Sequence, residues 1–325
     1  MRPMLKVNTM NLKHSKSVLL GTSALVCFAL SAPVVADDFV ITGSDNSTNG
    51  TGTTNGGTAA AIAGTAINGS DTVSLGIALT TTGTYNVGIK TTGGTNKVTV
   101  SEAGSITTGT GAYYANGIYN IGDTNTTTVS GSITTAGYYA DGIYNEGAFN
   151  TTTVSGSITT GVVGTNAGED STGIWNYGND NTTTLTSTGV ITVNGPKADG
   201  IYNSSGDKNI TIVHGSIFVN GNGVADDYAE GIRNDGNYNK TTLSGSIETT
   251  GENSHGIYNY GDNNTTTISG TVKATGAKSA ALYNESGSGN TFTLNEGATI
   301  IGDILAIDST DNFFDATNSK LIFNL

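Results

Sequence analysis

The sequence predicts an all-β fold, a right-handed three-sided parallel β-helix (a β-solenoid) with rungs of about 25 residues, on three observations. A six-residue phrase recurs seven times at near-regular spacing, each repeat carries three short strand-like pieces, and good helix formers are scarce. Of 325 residues 47 are Gly and only 12% are charged, while Thr and Asn abound, a composition that suits strands and turns.

The first 36 residues read as a secretory signal peptide. Arg2, Lys6, Lys13 and Lys16 precede an apolar run from Val18 to Leu30, and Val34 and Ala36 supply the small residues for cleavage after Ala36. Translation from Met10 would give a leader of more usual length. The apolar run is short for a membrane span. The single cysteine, Cys27, lies inside the leader, so no disulfide is expected in the mature chain. Residues 37–57 form a low-complexity polar segment. Residues 58–325 read as one β-helix domain: irregular capping rungs over 58–90, regular rungs over 91–300 and C-terminal rungs over 301–325.

The recurring anchor is a small residue, a variable one, then Gly-Ile-aromatic-Asn. It reads ANGIYN (115–120), ADGIYN (140–145), STGIWN (171–176), ADGIYN (198–203), AEGIRN (229–234), SHGIYN (254–259) and SAALYN (279–284). The Gly positions are spaced by 25, 31, 27, 31, 25 and 25 residues, with Ala281 in the last. Leucine-rich and helical repeats are excluded by the missing leucines and the missing 3.6-residue period, and a propeller blade needs roughly 40 residues.

In a coil of this kind each strand pairs with its copy one rung on, and inward residues stack into columns. The first column is Ile118, Ile143, Ile174, Ile201, Ile232, Ile257 and Leu282. A second is Val129, Val154, Leu185, Val213, Leu243, Ile268 and Leu294, with small insertions loosening the fit at Leu185, Val213 and Leu294. The third is Ile106, Ile133, Ile158, Ile191, Ile217, Ile247 and Val272, with Ile300 one place displaced.

Asn120, Asn145, Asn176, Asn203, Asn234, Asn259 and Asn284 close every anchor. They are expected to form a hydrogen-bonded ladder at a turn that tolerates left-handed backbone, the alternative being a binding column. Tyr119, Tyr144, Trp175, Tyr202, Arg233, Tyr258 and Tyr283 fall on the opposite strand face and so point outward. They are expected to stack along the axis, with Arg233 between Tyr202 and Tyr258; the sharper reading is a surface that grips sugar rings or a partner.

Two connections are long, GVVGTNAGED and NGNGVADDY, and leave the same corner one ordinary rung apart. They would bring Glu169 and Asp170 near Asp226 and Asp227, four carboxylates that could hold calcium if backbone oxygens completed the shell. The alternative is solvated acids on loops. No other cofactor is expected.

Charge and chemistry exclude several classes. The net charge is −13. Arg233 is the one arginine outside the leader, which argues against nucleic acid. Polysaccharide-degrading β-helices need clustered acids. Asp141, Asp199 and Glu230 precede the anchor Gly in three rungs, but Asn116, Thr172 and His255 do so in others, which reads as a tolerant turn position. His214 and His255 make no credible metal pair or triad. The chain therefore reads as a non-enzyme, with a secreted polysaccharide-degrading enzyme as one alternative. Outward threonine ranks (Thr126/Thr128, Thr151/Thr153, Thr182/Thr184, Thr265/Thr267) offer another, an ice-binding solenoid, although Ile212 and Lys240 interrupt them.

The leader, the Gly/Asn/Thr-rich repeats and the tail NTFTLNEGATIIGDI resemble the passenger region of bacterial autotransporters, the pertactin-like secreted β-helices. The resemblance covers about residues 37–325. It implies a Gram-negative source, export, and display at the cell surface or outer membrane as an adhesin. The implied partner is a surface protein or glycan of a host or neighbouring cell, or another copy of the chain. The family shares no site, so it assigns no functional residue here. A translocator barrel is not encoded in this chain, which stops at KLIFNL. A separate translocator would carry the product outside; an interrupted gene product would stay in the periplasm.

Overall fold

A computed structural model describes residues 72–306, apart from Ile77 and residues 225–228, together with the backbone of isolated strands between 34 and 65 and between 309 and 322. Residues 1–33, and with them most of the leader, lie outside the described residues, as do Asp226 and Asp227.

Among the described residues every element is a strand, and the strands pair in parallel from one rung to the next. One rung shows the plan. Ile143–Glu146, Thr151–Val154 and Ser157–Thr160 are its three strands, and their copies stack into an anchor sheet, a threonine sheet and a serine sheet. The fold is thus a three-sided β-solenoid, with rungs of about 27 residues.

Strand alternation explains why four-residue strands suffice. In Thr151–Val154 exposure follows the pleat, so that Thr152 and Val154 are buried while Thr151 and Thr153 face out. The inward aliphatic columns are continuous. Ile118 lies opposite Ile143, which lies opposite Ile174, then Ile201, Ile232, Ile257 and Leu282. The second column needs no slack. Leu185 pairs with Val213 and Ile268 with Leu294 in strict register, because the insertions are absorbed in the turns before the strands. Ile300 is likewise not displaced, since it sits directly opposite Val272. These side chains are fully buried or nearly so, each contributing roughly 2 kcal/mol, so stability accumulates by rungs.

The asparagines that close the anchors do form a ladder, but not at a turn. They lie inside the strands with their side chains buried, where the carboxamide can reach its copy one rung away. Asn120 Nδ2 donates to Asn145 Oδ1 at 2.8 Å, Asn145 to Asn176 at 2.9 Å, and Asn176 to Asn203 at 2.9 Å. The second N–H reaches the inward threonine of the same rung, Asn145 Nδ2 to Thr152 Oγ1 at 3.0 Å, so each carboxamide ties two sheets together. Left-handed backbone falls elsewhere, at the corner after the anchor sheet (Thr124, Phe149, Asp180, Tyr238) and at the corner before it (Tyr114, Tyr139, Asp170, Lys197, Lys278).

Both long connections leave the serine sheet and enter the anchor sheet, after Ser157–Thr160 and after Ser216–Val219. They therefore share one corner, as their spacing implies.

Candidate functional site: an aromatic stripe over a buried polar row

The outer face of the anchor sheet carries the stripe. Tyr119 and Tyr144 stack with centroids 5.0 Å apart and planes at 9°, Tyr144 and Trp175 at 4.9 Å and 31°, Trp175 and Tyr202 at 5.5 Å and 20°. The Arg233 guanidinium then takes the place of a ring, 4.8 Å from the centroid of Tyr202 and 5.4 Å from that of Tyr258. Lys90 Nζ lies 5.3 Å from the Tyr119 centroid and extends the series at the other end. Tyr258 and Tyr283 meet edge to face at 5.5 Å and are buried. The ring faces of the stripe are turned to one another, so a sugar or partner arriving from solvent meets ring edges.

The phenols are held by carboxyls. Tyr119 donates to Glu146, Tyr202 to Asp235 Oδ2 at 2.6 Å, and Tyr258 to Glu285. A bulge between the strands Ile257–Tyr260 and Ala280–Ser288 pairs Tyr260 with Ser286 and sets Glu285 out of the ladder. Burial raises these phenols above their ordinary range, with the carboxyl partners adding to it, and raises Tyr144 to about 12; all remain donors at neutral pH.

Beneath the stripe runs a row that sequence reasoning treats as a tolerant turn position. It is buried: Asn116, Asp141, Thr172, Asp199, Glu230 and His255 are all 5% exposed or less. The aromatic rings cover it, as the His255 ring shows at 4.6 Å from that of Tyr283. Four of the six, Asn116, Asp141, Asp199 and His255, supply an acceptor for an amide of the next rung. Asn116 Oδ1 accepts from the N–H of Asp141 at 2.7 Å, Asp141 Oδ1 from Thr172 at 2.8 Å, Asp199 Oδ1 from Glu230 at 2.8 Å, and His255 Nδ1 from Ala280 at 2.9 Å. Asn, Asp and His can each supply that lone pair, which is why the letter varies while the burial does not.

Burial sets the protonation of this row. It pushes Asp141 up to about 8 and lowers His255 to about 4, so both are neutral at pH 7. Asp199 and Glu230 are also raised, first by burial, and Glu230 the more strongly because the Asp199 charge lies beside it. Both Glu230 oxygens are buried without a hydrogen-bond partner, whereas Asp199 Oδ1 accepts the Glu230 N–H, which favours its charged form. Of the two, Glu230 is therefore the carboxyl that holds the proton. Arg233 balances the remaining charge: its Nε bonds Asp235 Oδ1 at 2.9 Å, and the neighbouring acids, Asp199 foremost, outweigh burial to keep it charged.

The proposed calcium ligands divide. Glu169 Oε1 receives Lys197 Nζ at 2.9 Å, and Asp170 sits beside the Tyr139 phenol, its charge holding that phenol above the ordinary range. Asp226 and Asp227 lie outside the described residues, among which no group of three or more His, Cys, Asp or Glu gathers as a metal site.

Two further features lie beyond the anchor phrase. A second asparagine column precedes each threonine strand, in which Asn125 N–H donates to Asn150 Oδ1, Asn150 N–H to Asn181 Oδ1, and Asn181 N–H to Asn209 Oδ1, each at 2.8 Å. Its signal is plain in TNTTTV, FNTTTV and DNTTTL. The other is a tyrosine corner, Tyr85, Tyr114 and Tyr139 with Tyr113 and Tyr138, signalled by the doublets AYYA and GYYA.

No protein-family model, curated protein or solved structure matches the chain. Its architecture alone is shown, a three-sided parallel β-solenoid built from repeats.

Proposed function

We propose that the chain is a non-catalytic exported surface protein of the autotransporter-passenger kind, serving in adhesion or self-association. The observation that carries this reading is where the chemistry goes. The reactive side chains of the anchor sheet are spent within the stack, as buried carboxyls under aromatic rings and as amide acceptors between rungs. What faces solvent is a long, repetitive surface of threonine ranks, ring edges and acidic corners. Such a surface suits many weak contacts with an extended partner: a surface protein or glycan of a host or neighbouring cell, or a second copy. The acidic charge disfavours nucleic acid. An exported product would reach the cell surface or medium through a translocator, and otherwise remain in the periplasm.

The test uses the purified chain freed of its leader. Concentration-dependent association in sedimentation, or saturable retention on host or bacterial cells, supports the reading. A chain that stays monomeric and is washed from every cell type overturns it. The polysaccharide-degrading alternative has the Asp199–Glu230 pair in its favour, but both carboxyls are buried away from any substrate. The ice-binding alternative rests on the strict register of Thr126, Thr151 and Thr182, and of Thr128, Thr153 and Thr184. Those ranks are broken by Ile210, Ile212 and Lys240. An ice-recrystallisation assay separates it from adhesion.

A further inference from the structure

The corner before the anchor sheet exposes tyrosines that stand in pairs. Tyr85 and Tyr114 stack with centroids 5.5 Å apart and planes at 5°, Tyr114 and Tyr139 at 5.1 Å and 14°, and Tyr113 and Tyr138 at 5.2 Å and 14°. They are open to solvent: Tyr85 is 51% exposed, Tyr114 47% and Tyr139 40%. Backbone bonds hold the pairs in register. Tyr114 N–H donates to Tyr138 O at 2.9 Å, Tyr139 N–H to Glu169 O at 3.0 Å, and Tyr113 and Tyr138 form a parallel bridge. The left-handed backbone at Tyr85, Tyr114 and Tyr139 (φ 63, 55 and 50) directs the three rings out of the stack along one line.

We infer that this corner is an oxidative cross-linking site, at which a one-electron oxidant of the peroxidase class joins Tyr114 to Tyr139 by a carbon–carbon bond and staples adjacent rungs. Each phenol loses one electron and its hydroxyl proton, and for Tyr139 the Asp170 carboxylate beside the hydroxyl is the first proton acceptor. The two phenoxyl radicals couple at ring carbons ortho to oxygen. Each coupled carbon then gives up its proton and each oxygen regains one, restoring two aromatic phenols. One hydrogen peroxide takes up the two electrons and two protons and leaves as two waters. The pre-set stack makes the coupling intramolecular, because the second radical forms one rung away from the first. The product closes a 25-residue loop between positions 114 and 139 in a chain whose one cysteine is Cys27. Such a closure restricts the unfolded chain as a disulfide does.

The comparison is internal to the molecule. Tyr177, Tyr238 and Tyr260 are at least as exposed as Tyr139, at 44%, 56% and 49%, but stack on no other ring among the described residues. The purified chain, dilute, is treated with a haem peroxidase and hydrogen peroxide and followed by dityrosine fluorescence, intact mass and peptide mapping. The expected product is a monomer lighter by two hydrogens, with the link mapped to Tyr114–Tyr139 or Tyr85–Tyr114 and a thermal midpoint raised by a few degrees. Tyr139→Phe keeps the ring in the stack but has no phenol to oxidise; it should lose the 114–139 link and retain the 85–114 one. The inference fails if the links are chiefly intermolecular, if they fall on Tyr177, Tyr238 or Tyr260 as often as on the paired rings, or if Tyr139→Phe leaves the pattern unchanged.

Discussion

Asp199 Oδ1 accepts the backbone N–H of Glu230 at 2.8 Å, which sets two buried carboxyls on consecutive rungs beneath Arg233. Burial raises both, as it raises Asp141 to about 8, so the native chain carries protons that an unfolded chain at neutral pH has released. The sign follows. Groups raised on folding contribute stability in full below the ordinary carboxylate range, and that stability is lost as pH rises through the folded values. The thermal midpoint should therefore be higher at about pH 5 than at about pH 8.5, as the unfolding free energy falls by about 1.4 kcal/mol per pH unit for each proton at issue. Asp141→Asn keeps the acceptor for Thr172 and cannot ionise, so it should flatten the slope near pH 8. A midpoint that climbs with pH across this range would refute the protonated row.

The asparagine ladder gives a stability prediction with little dependence on pH. Asn176 Nδ2 donates to Thr183 Oγ1 at 3.0 Å and Asn203 Oδ1 at 2.9 Å, and its Oδ1 accepts from Asn145 at 2.9 Å. Asn176→Ala removes all three and strands buried partners on both neighbouring rungs. At roughly 1 kcal/mol per bond, with the desolvation of the orphaned groups added, the loss should be about 3 kcal/mol or more in denaturant unfolding. A change within 0.5 kcal/mol, the size usual for a surface site, would mean that the ladder is incidental.

The repeat made the fold legible because period-two alternation and rung spacing act on the same residues. Ile143, Ile174 and Ile201 could be aligned from the letters alone, and they pair as aligned. Insertions misled only where they were counted against the strands: Ile300 keeps its register because the extra length sits in turns. The candidate site was half legible. Alternation placed Tyr144 outside and Asn145 inside, but it carried no information on what the rings would cover. Asn116, Asp141 and His255 looked interchangeable, because the feature they share is a lone pair aimed at an amide in another rung, and no local pattern encodes that. The tyrosine corner went unread for a related reason, since left-handed backbone at a tyrosine is set by the stacked corner rather than by residue preference.

Whether the stripe binds or only stacks can be decided by truncating it. Tyr144→Ala together with Tyr202→Ala leaves Trp175 without either of its ring neighbours, at 4.9 and 5.5 Å in the native chain. Stacked pairs contribute about 0.5–1.5 kcal/mol beyond area, so the double variant should lose several kcal/mol of stability yet fold, given the number of remaining rungs. The emission of Trp175, the single tryptophan, should shift to the red as the ring is wetted. If cell retention or self-association survives in the folded variant, the stripe is structural. Its loss at unchanged fold would assign the stripe to the partner.

The anchor glycine yields the sharpest contrast. At Gly173 the backbone is not left-handed; an added Cβ would instead lie 2.5 Å from Gly200 O and 2.5 Å from Ile191 Cγ2. Neither the neighbouring backbone nor the inward Ile column can retreat without breaking register. Ala281 escapes this at the last anchor because the register shifts between Ala280 and Leu282, which pair with Asp303 and Ile304 and leave no residue opposite Ala281. Gly164, in the first long loop, is the reverse case: φ is +73 and nothing lies within 4 Å of an added Cβ. Gly173→Ala should therefore cost about 3 kcal/mol from overpacking, and Gly164→Ala only about 1 kcal/mol from backbone strain. Urea unfolding of the two variants side by side measures the difference. Equal costs would mean that the rungs are not in the close contact that the anchor requires.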